Sequence, residues 1–251
     1  ADHRFMQATM EILDRQEYVS WKLPKNWHVI LTTNPDNGDY NVTSLDVAQK
    51  TRFISVEMKY DVNVWAKWAE KASIDGRCIN FMLMHPELVT QRVNPRSITT
   101  FFNGISSIPK FEDELPLVQM IGEGSVGTDF SSMFTMFINN KLDKMISPED
   151  LLTKDEAYVK GALLASVGEG DDFRADLSSV IATRVINYAL TVAEKGSVPK
   201  AMLDRLAKVT TEFDGFTNDL RYYMVKEIVN GNKVKFSPLM ADTAVVKMAI
   251  Q

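Results

Sequence analysis

Apolar positions in the second half of the chain recur at three- and four-residue spacing, which predicts a succession of amphipathic helices. Leu177, Ile181, Val185, Tyr188 and Val192 mark a helix over 173–195 that stops at Gly196, and Met202, Leu203, Leu206, Val209 and Phe213 mark the next, over 199–213. A helix over 217–230 with Gly231 as its stop follows, and Ser237-Pro238 reads as the opening of the last one. Further upstream, Asp61 caps a helix on which Val64, Trp65, Trp68 and Ala72 share a face, so both tryptophans are expected in a core. An apolar run over 78–84 ends at His85-Pro86, and Asn94-Pro95 opens another helix with proline at its first position. Phe130, Met133, Phe134, Phe137, Ile138, Leu142 and Met145 predict one long apolar helix face, after which Ser147-Pro148 starts a new helix. The chain itself begins in an amphipathic helix, 2–16, with Phe5, Met6, Met10, Ile12 and Leu13 as its apolar residues.

The pattern changes between Trp27 and Phe53. A β-rich apolar run, 28–33, breaks at Asn34-Pro35 into the turn formers Asp36, Asn37, Gly38 and Asp39, which predicts a strand with Asn34 at its carboxyl tip. Thr43 with Asp46 three residues on is a capping-box pattern for a short helix, closed by Arg52 just before a second predicted strand, 53–58. In open α/β sheets ligands bind outside the carboxyl ends of strands, so an Asn at that tip followed by a helix ending in Arg points to phosphate chemistry. Plainer roles compete with it: Asn34 capping its own turn, and Arg52 complementing the negative end of a helix dipole. Arg96 lies in the first turn after Asn94-Pro95, where the positive end of the dipole disfavours a cation, so an anionic neighbour is expected there. A carboxylate of the same domain would serve, as would a phosphate.

The order of a strand, Thr33-Asn34-Pro35, an acidic turn with Tyr40, Ser44-Leu45-Asp46-Val47-Ala48 and Thr51-Arg52-Phe53 resembles the sensor-1 to arginine-finger segment of AAA+ ATPases of the MoxR and dynein-related type. The resemblance implies that Asn34 is sensor 1, orienting the attacking water, and that Arg52 is the finger offered to a neighbouring subunit's nucleotide. Arg96, in Asn94-Pro95-Arg96-Ser97-Ile98, resembles the sensor-2 arginine of the lid, acting in cis or in trans. Residues after Gly122 resemble the helical tail of bacterial MoxR-like ATPases. The implied fold is mainly α with a small α/β remnant at the N-terminus: residues 1–60 as the C-terminal part of the AAA+ core, 61–110 as a helical lid and 111–251 as a helical C-terminal domain. The implied activity is ATP hydrolysis coupled to remodelling of a protein client by a homo-oligomeric ring, with ATP and Mg²⁺ as cofactors. Neither the Gly-x-x-x-x-Gly-Lys-[Ser/Thr] loop nor the acidic Walker B strand occurs in the sequence, so this chain alone is expected to be inactive, its P-loop part lying upstream or in a partner. A non-catalytic helical adaptor with an AAA-like surface is the alternative. The family's strand order puts the P-loop strand between 28–33 and 53–58. Those strands are therefore expected to be completed from elsewhere or to collapse onto each other.

Composition adds exclusions. A net charge of −5 gives no general electrostatic footprint for nucleic acid or an anionic membrane, and no apolar run is long enough to span a bilayer. Cys78 is the only cysteine, so no internal disulfide can form; it reads as a small core residue in a reducing, cytoplasmic setting. His3, His28 and His85 lie in no metal-ligand spacing. The run from Gly122 to Gly127 matches Gly-x-Gly-x-x-Gly after a short predicted strand, 117–121. The helix pattern that follows lacks the second strand and acidic residue of a dinucleotide site. Residues 109–116 read as an acidic linker, and 168–172 as an acidic joint.

Overall fold

Asp61 accepts hydrogen bonds from the backbone N–H groups of Asn63 and Val64, and α3 (Val62–Lys71) begins there as its sequence dictates. It belongs to the larger of two units in a computed structural model that describes residues 3–34, 42, 47–90, 93–142 and 144–250. The units are Ala1–Lys59 and Tyr60–Gln251.

The first unit contains α1 (His3–Arg15), a two-residue-per-strand antiparallel hairpin of β1 (Glu17–Tyr18) and β2 (Trp21–Lys22), and the single-turn α2 (Val47–Lys50). Tyr18 pairs with Trp21 and Glu17 with Lys22. This hairpin is the only sheet among the described residues, and it is not the one expected. Residues 28–33 and 53–58 run without ladder partners and are not strands, neither completed nor paired with each other. Most of their side chains stand in solvent, with Ile30 85%, Ile54 96% and Met58 94% exposed, while Val29 and Phe53 are half-buried. A strand needs a neighbour for its N–H and C=O groups, and with none among the described residues water is the alternative partner. The turn 35–40 and the capping pair Thr43 and Asp46 fall outside the described residues.

The elements of the second unit are all helices among its described residues, and they enclose two apolar cores. The first is built by α3, α4 (Gly76–Met84), α5 (Pro95–Ile105), α6 (Leu115–Val126) and α7 (Thr128–Asn139). Phe81, Phe101, Phe102, Phe111 and Phe134 are fully buried in it, Phe81 and Phe134 meeting edge to face at 5.0 Å. Such rings each contribute on the order of 1.5–3 kcal/mol by burial. Cys78 is buried here, its thiol pushed well above its ordinary pKa by desolvation. Trp65 is buried as expected, whereas Trp68 is 48% exposed.

The second core surrounds α10 (Ala175–Lys195) with α8 (Pro148–Thr153), α9 (Glu156–Val167), α11 (Lys200–Thr211), α12 (Asn218–Gly231), α13 (Lys233–Ala241) and α14 (Thr243–Ile250). Met84, Leu142 and Met145 pack against both cores.

Four local expectations are corrected. Residues 117–121 are helical, inside α6, and Gly122 lies mid-helix where a Cβ would come within 2.6 Å of Ser131 Cβ. The glycine permits a close helix approach, and the match to a nucleotide loop is incidental. The stretch 109–116 is no linker, because Phe111 sits in the first core beneath the Arg77 guanidinium, 3.6 Å from its ring centre. Helix α7 ends at Asn139, short of Leu142 and Met145. Ser237-Pro238 opens nothing: Asn232 caps α13, and Pro238 lies within it. The backbone N–H missing at Pro238 is replaced by the Ser237 hydroxyl, which donates to Val234 O at 3.1 Å.

Candidate functional site

Asn34 and Arg52 both lie in the first unit, and Arg96 lies in the second. Asn34 is exposed at the end of the unpaired extended segment, and its backbone carbonyl accepts a hydrogen bond from Thr33 Oγ1 at 3.1 Å. The strand tip expected to fix its carboxamide is absent from the described residues.

Arg52 follows α2 through a turn in which Thr51 N donates to Val47 O at 3.1 Å and Phe53 N to Lys50 O at 3.3 Å. Its Nε donates to both oxygens of Asp14, at 2.7 and 2.9 Å, tying it to the last turn of α1. Asp14 went unnoticed in the sequence. The partners are 38 residues apart and neither spacing nor pattern links them.

Arg96 sits on the best-defined local frame of the three. Asn94 Oδ1 accepts from the N–H groups of Arg96 and Ser97, both at 3.1 Å, while Ser97 Oγ accepts from Asn94 N, closing a capping box. The Arg96 side chain is exposed and forms no ion pair among the described residues, so the anionic neighbour expected in the same domain is not found there. The Asn94 cap already takes the first-turn N–H groups, so what is left to stabilise an external anion is the Arg96 guanidinium at the positive end of the helix.

Other polar clusters in the second unit are structural. Asp75 caps α4 and is gripped by Arg77 through Nε at 3.0 Å and Nη2 at 2.7 Å. Burial works to raise the Asp75 pKa, but hydrogen bonds and charge from Arg77 prevail and hold it below the ordinary value. Arg184 on α10 donates to Glu70 on α3 and to Asn80 on α4. A concavity of about 510 Å³, lined by Met84, His85, Met133, Phe137, Arg174 and Asp176 among others, contains none of the predicted residues. Among the described residues no group of three His, Cys, Asp or Glu side chains is placed to hold a metal ion, and no helix is long and apolar enough to cross a membrane.

No family model, curated protein or solved structure matches the chain.

Proposed function

We propose that this chain is the sensor and lid portion of an AAA+ ATPase that assembles into a ring and remodels a protein client. The observation that carries the reading is Arg96: an exposed guanidinium on a capped helix start, with no ion-pair partner among the described residues. A guanidinium at the positive end of a helix suits a nucleotide phosphate. In this reading Asn34 orients water, Arg52 offsets charge developing across a subunit interface, and Arg96 couples bound nucleotide to the lid. ATP and Mg²⁺ would be held chiefly by a P-loop part outside these residues, and this chain alone would hydrolyse nothing.

The test is to measure ATP binding and turnover in the protein assembled with its P-loop part. Arg96→Ala is expected to weaken ATP binding about 10- to 100-fold, the worth of a charge-assisted hydrogen bond. Arg52→Ala should assemble and bind ATP but turn over about 10³-fold more slowly or worse. Unchanged affinity in the first variant together with normal turnover in the second would overturn the assignment.

The Arg52–Asp14 ion pair favours a second reading, a non-catalytic helical adaptor in which Arg52 only holds its own unit together. A coding sequence upstream, or in an adjacent partner, with a Gly-Lys-[Ser/Thr] loop and an acidic strand supports the ATPase. Its absence supports the adaptor.

A further inference from the structure

We propose that the second unit carries a binding site for a small uncharged amphiphile, an apolar body ending in a hydroxyl or carboxamide group. The site is the concavity of about 510 Å³ where α4, α7 and the start of α10 meet. It contains neither Asn34, Arg52 nor Arg96, and it does not depend on the ATPase reading. Helix α7 and its C-cap supply Met133, Met136, Phe137 and Asn140, spaced i, i+3, i+4 and i+7 along one helix face. Asp176, Ser179 and Val180 begin the same spacing on α10. Phe137 and Val180 are buried, Met133 is half-buried and Met136 is 57% exposed, so the lining passes from core to solvent. Met84 and Leu142 also line it, and both pack against the two cores, which places the concavity where those cores fail to close on each other. A concavity of about 300–1,000 Å³ with mostly apolar walls and a few polar groups is the usual form of a small-molecule site. At about 30 Å³ per heavy atom, the share of a water molecule in the liquid, this one holds roughly 15 heavy atoms. The unbranched thioethers of Met84, Met133 and Met136 let the walls adapt to bodies of different shape.

The polar part of the lining selects the head group. Among the described residues, the charged side chains that line the site are Arg174 and Asp176, and they neutralise each other, Nε meeting Oδ1 at 3.0 Å and Nη2 meeting Oδ2 at 2.6 Å. An anionic head would face Asp176 and a cationic one Arg174, and an unpaired ion loses far more than a neutral polar group when it leaves water for apolar walls. Arg174 Nη1, Ser179 Oγ and the Asn140 carboxamide have no hydrogen bond among the described residues. His85 Nδ1 lies 3.2 Å from Glu87 Oε1; a carboxylate can only accept, so in the neutral ring Nε2 is an acceptor. Donors and acceptors are thus both open on the lining. A hydroxyl or carboxamide, being both at once, is satisfied by either.

The experiment titrates decan-1-ol into the full chain, by itself or co-purified with a partner that keeps it in solution, with the methionine methyl carbons labelled and observed by NMR. Decanoate and decylammonium serve as the charged counterparts. Decan-1-ol should move the Met84, Met133 and Met136 signals with a Kd on the order of 0.1 mM. Met120, exposed on α6 away from the site, should stay in place. Octan-1-ol should bind about 10- to 15-fold more weakly, the effect of two fewer buried methylenes. Each ion should bind at least about 10-fold more weakly than the alcohol of the same length. Ser179→Trp, which fills the site from an exposed position, and Met136→Lys should each weaken decan-1-ol binding at least about 10-fold while the melting temperature stays near the parent value. Met120→Lys should leave binding unchanged. The assignment is overturned if Met84, Met133 and Met136 do not respond up to the solubility limit of the alcohol, or if the response spreads to Met120 and survives both substitutions. An ion that binds as tightly as the alcohol also overturns it. If Ser179→Trp fails to fold, Met136→Lys, at a side chain already in solvent, decides alone.

Discussion

Arg184 Nε and Glu70 Oε1 meet at 2.7 Å between α10 and α3, with side-chain exposures of 8% and 11%. Glu70 stands on the helix that carries the first core and Arg184 on the helix at the centre of the second, so an ion pair spans the junction of two apolar cores. Asn80 on α4 takes a further donor, from Arg184 Nη1 at 3.1 Å. Removing one member of such a pair strands the other charge in a poorly solvated place. Arg184→Met is therefore expected to destabilise the protein by about 3–5 kcal/mol, and Arg184→Met combined with Glu70→Leu to recover most of that. Urea denaturation followed by circular dichroism measures both.

The two glycines of α6 that resemble a nucleotide loop should respond to alanine with opposite signs. At Gly122 an added methyl group would meet Ser131 Cβ at 2.6 Å and Phe101 at 3.2 Å, whereas at Gly124 nothing lies within 4 Å. Gly122→Ala is expected to destabilise by about 1–3 kcal/mol through overpacking. Gly124→Ala should stabilise by about 0.5–1 kcal/mol through helix propensity. Thermal melts of the two variants side by side decide it; a stable Gly122→Ala would refute the packing role.

Asp75 confers an acid-side dependence on stability. Its folded pKa is held below the ordinary 3.8, chiefly by Arg77 acting against burial, so the folded state favours the ionised form. The resulting stabilisation is fully present above the unfolded value of about 3.9 and is lost as pH falls through the lower folded value. Melting temperatures between pH 6 and pH 2 should show this loss below about pH 4 in the parent. In Asp75→Asn that component should be missing and stability lower at neutral pH, with the N-cap largely retained because Asn also caps helices. Identical acid limbs in the two proteins would refute the assignment.

Arg221 closes the α11–α12 connection by donating to three backbone carbonyls: Phe216 O at 3.0 Å, Thr211 O at 2.8 Å and Phe213 O at 2.6 Å. A lysine ammonium is a point donor on a flexible stem and cannot reproduce the planar fork. Arg221→Lys is expected to lose most of the stability that Arg221→Ala loses, about 1–3 kcal/mol. Hydrogen exchange at the amides of 212–217 should speed up in both variants.

What could be read from the sequence follows the range of the forces involved. Asp61, Asn94, Ser147 and Thr217 each cap the helix that their spacing announces, because a cap bonds amides two or three residues away. The helical second unit was legible for the same reason. Strands 28–33 and 53–58 were not, since apolar β-branched runs become strands only with a neighbour to pair with. Pro238 misled because proline marks a helix start more often than an interior, and Asn232 had already capped α13. Within the candidate site, the capped frame of Arg96 followed from Asn94-Pro95. The Asp14–Arg52 contact joins residues far apart in sequence, and nothing in the sequence pattern announces it.

Ile54, Val56 and Met58 stand bare on alternate positions of one extended segment. In a cell such a segment is what holdase chaperones and proteases recognise as unfinished protein, and what adheres to its own kind when concentrated. In the proposed ATPase the P-loop part would cover these residues, and the abundance of the chain should then follow that of the P-loop part. Synthesised without that part, the chain should be recovered from inclusion bodies or bound to chaperones, and co-synthesis with it should release the chain.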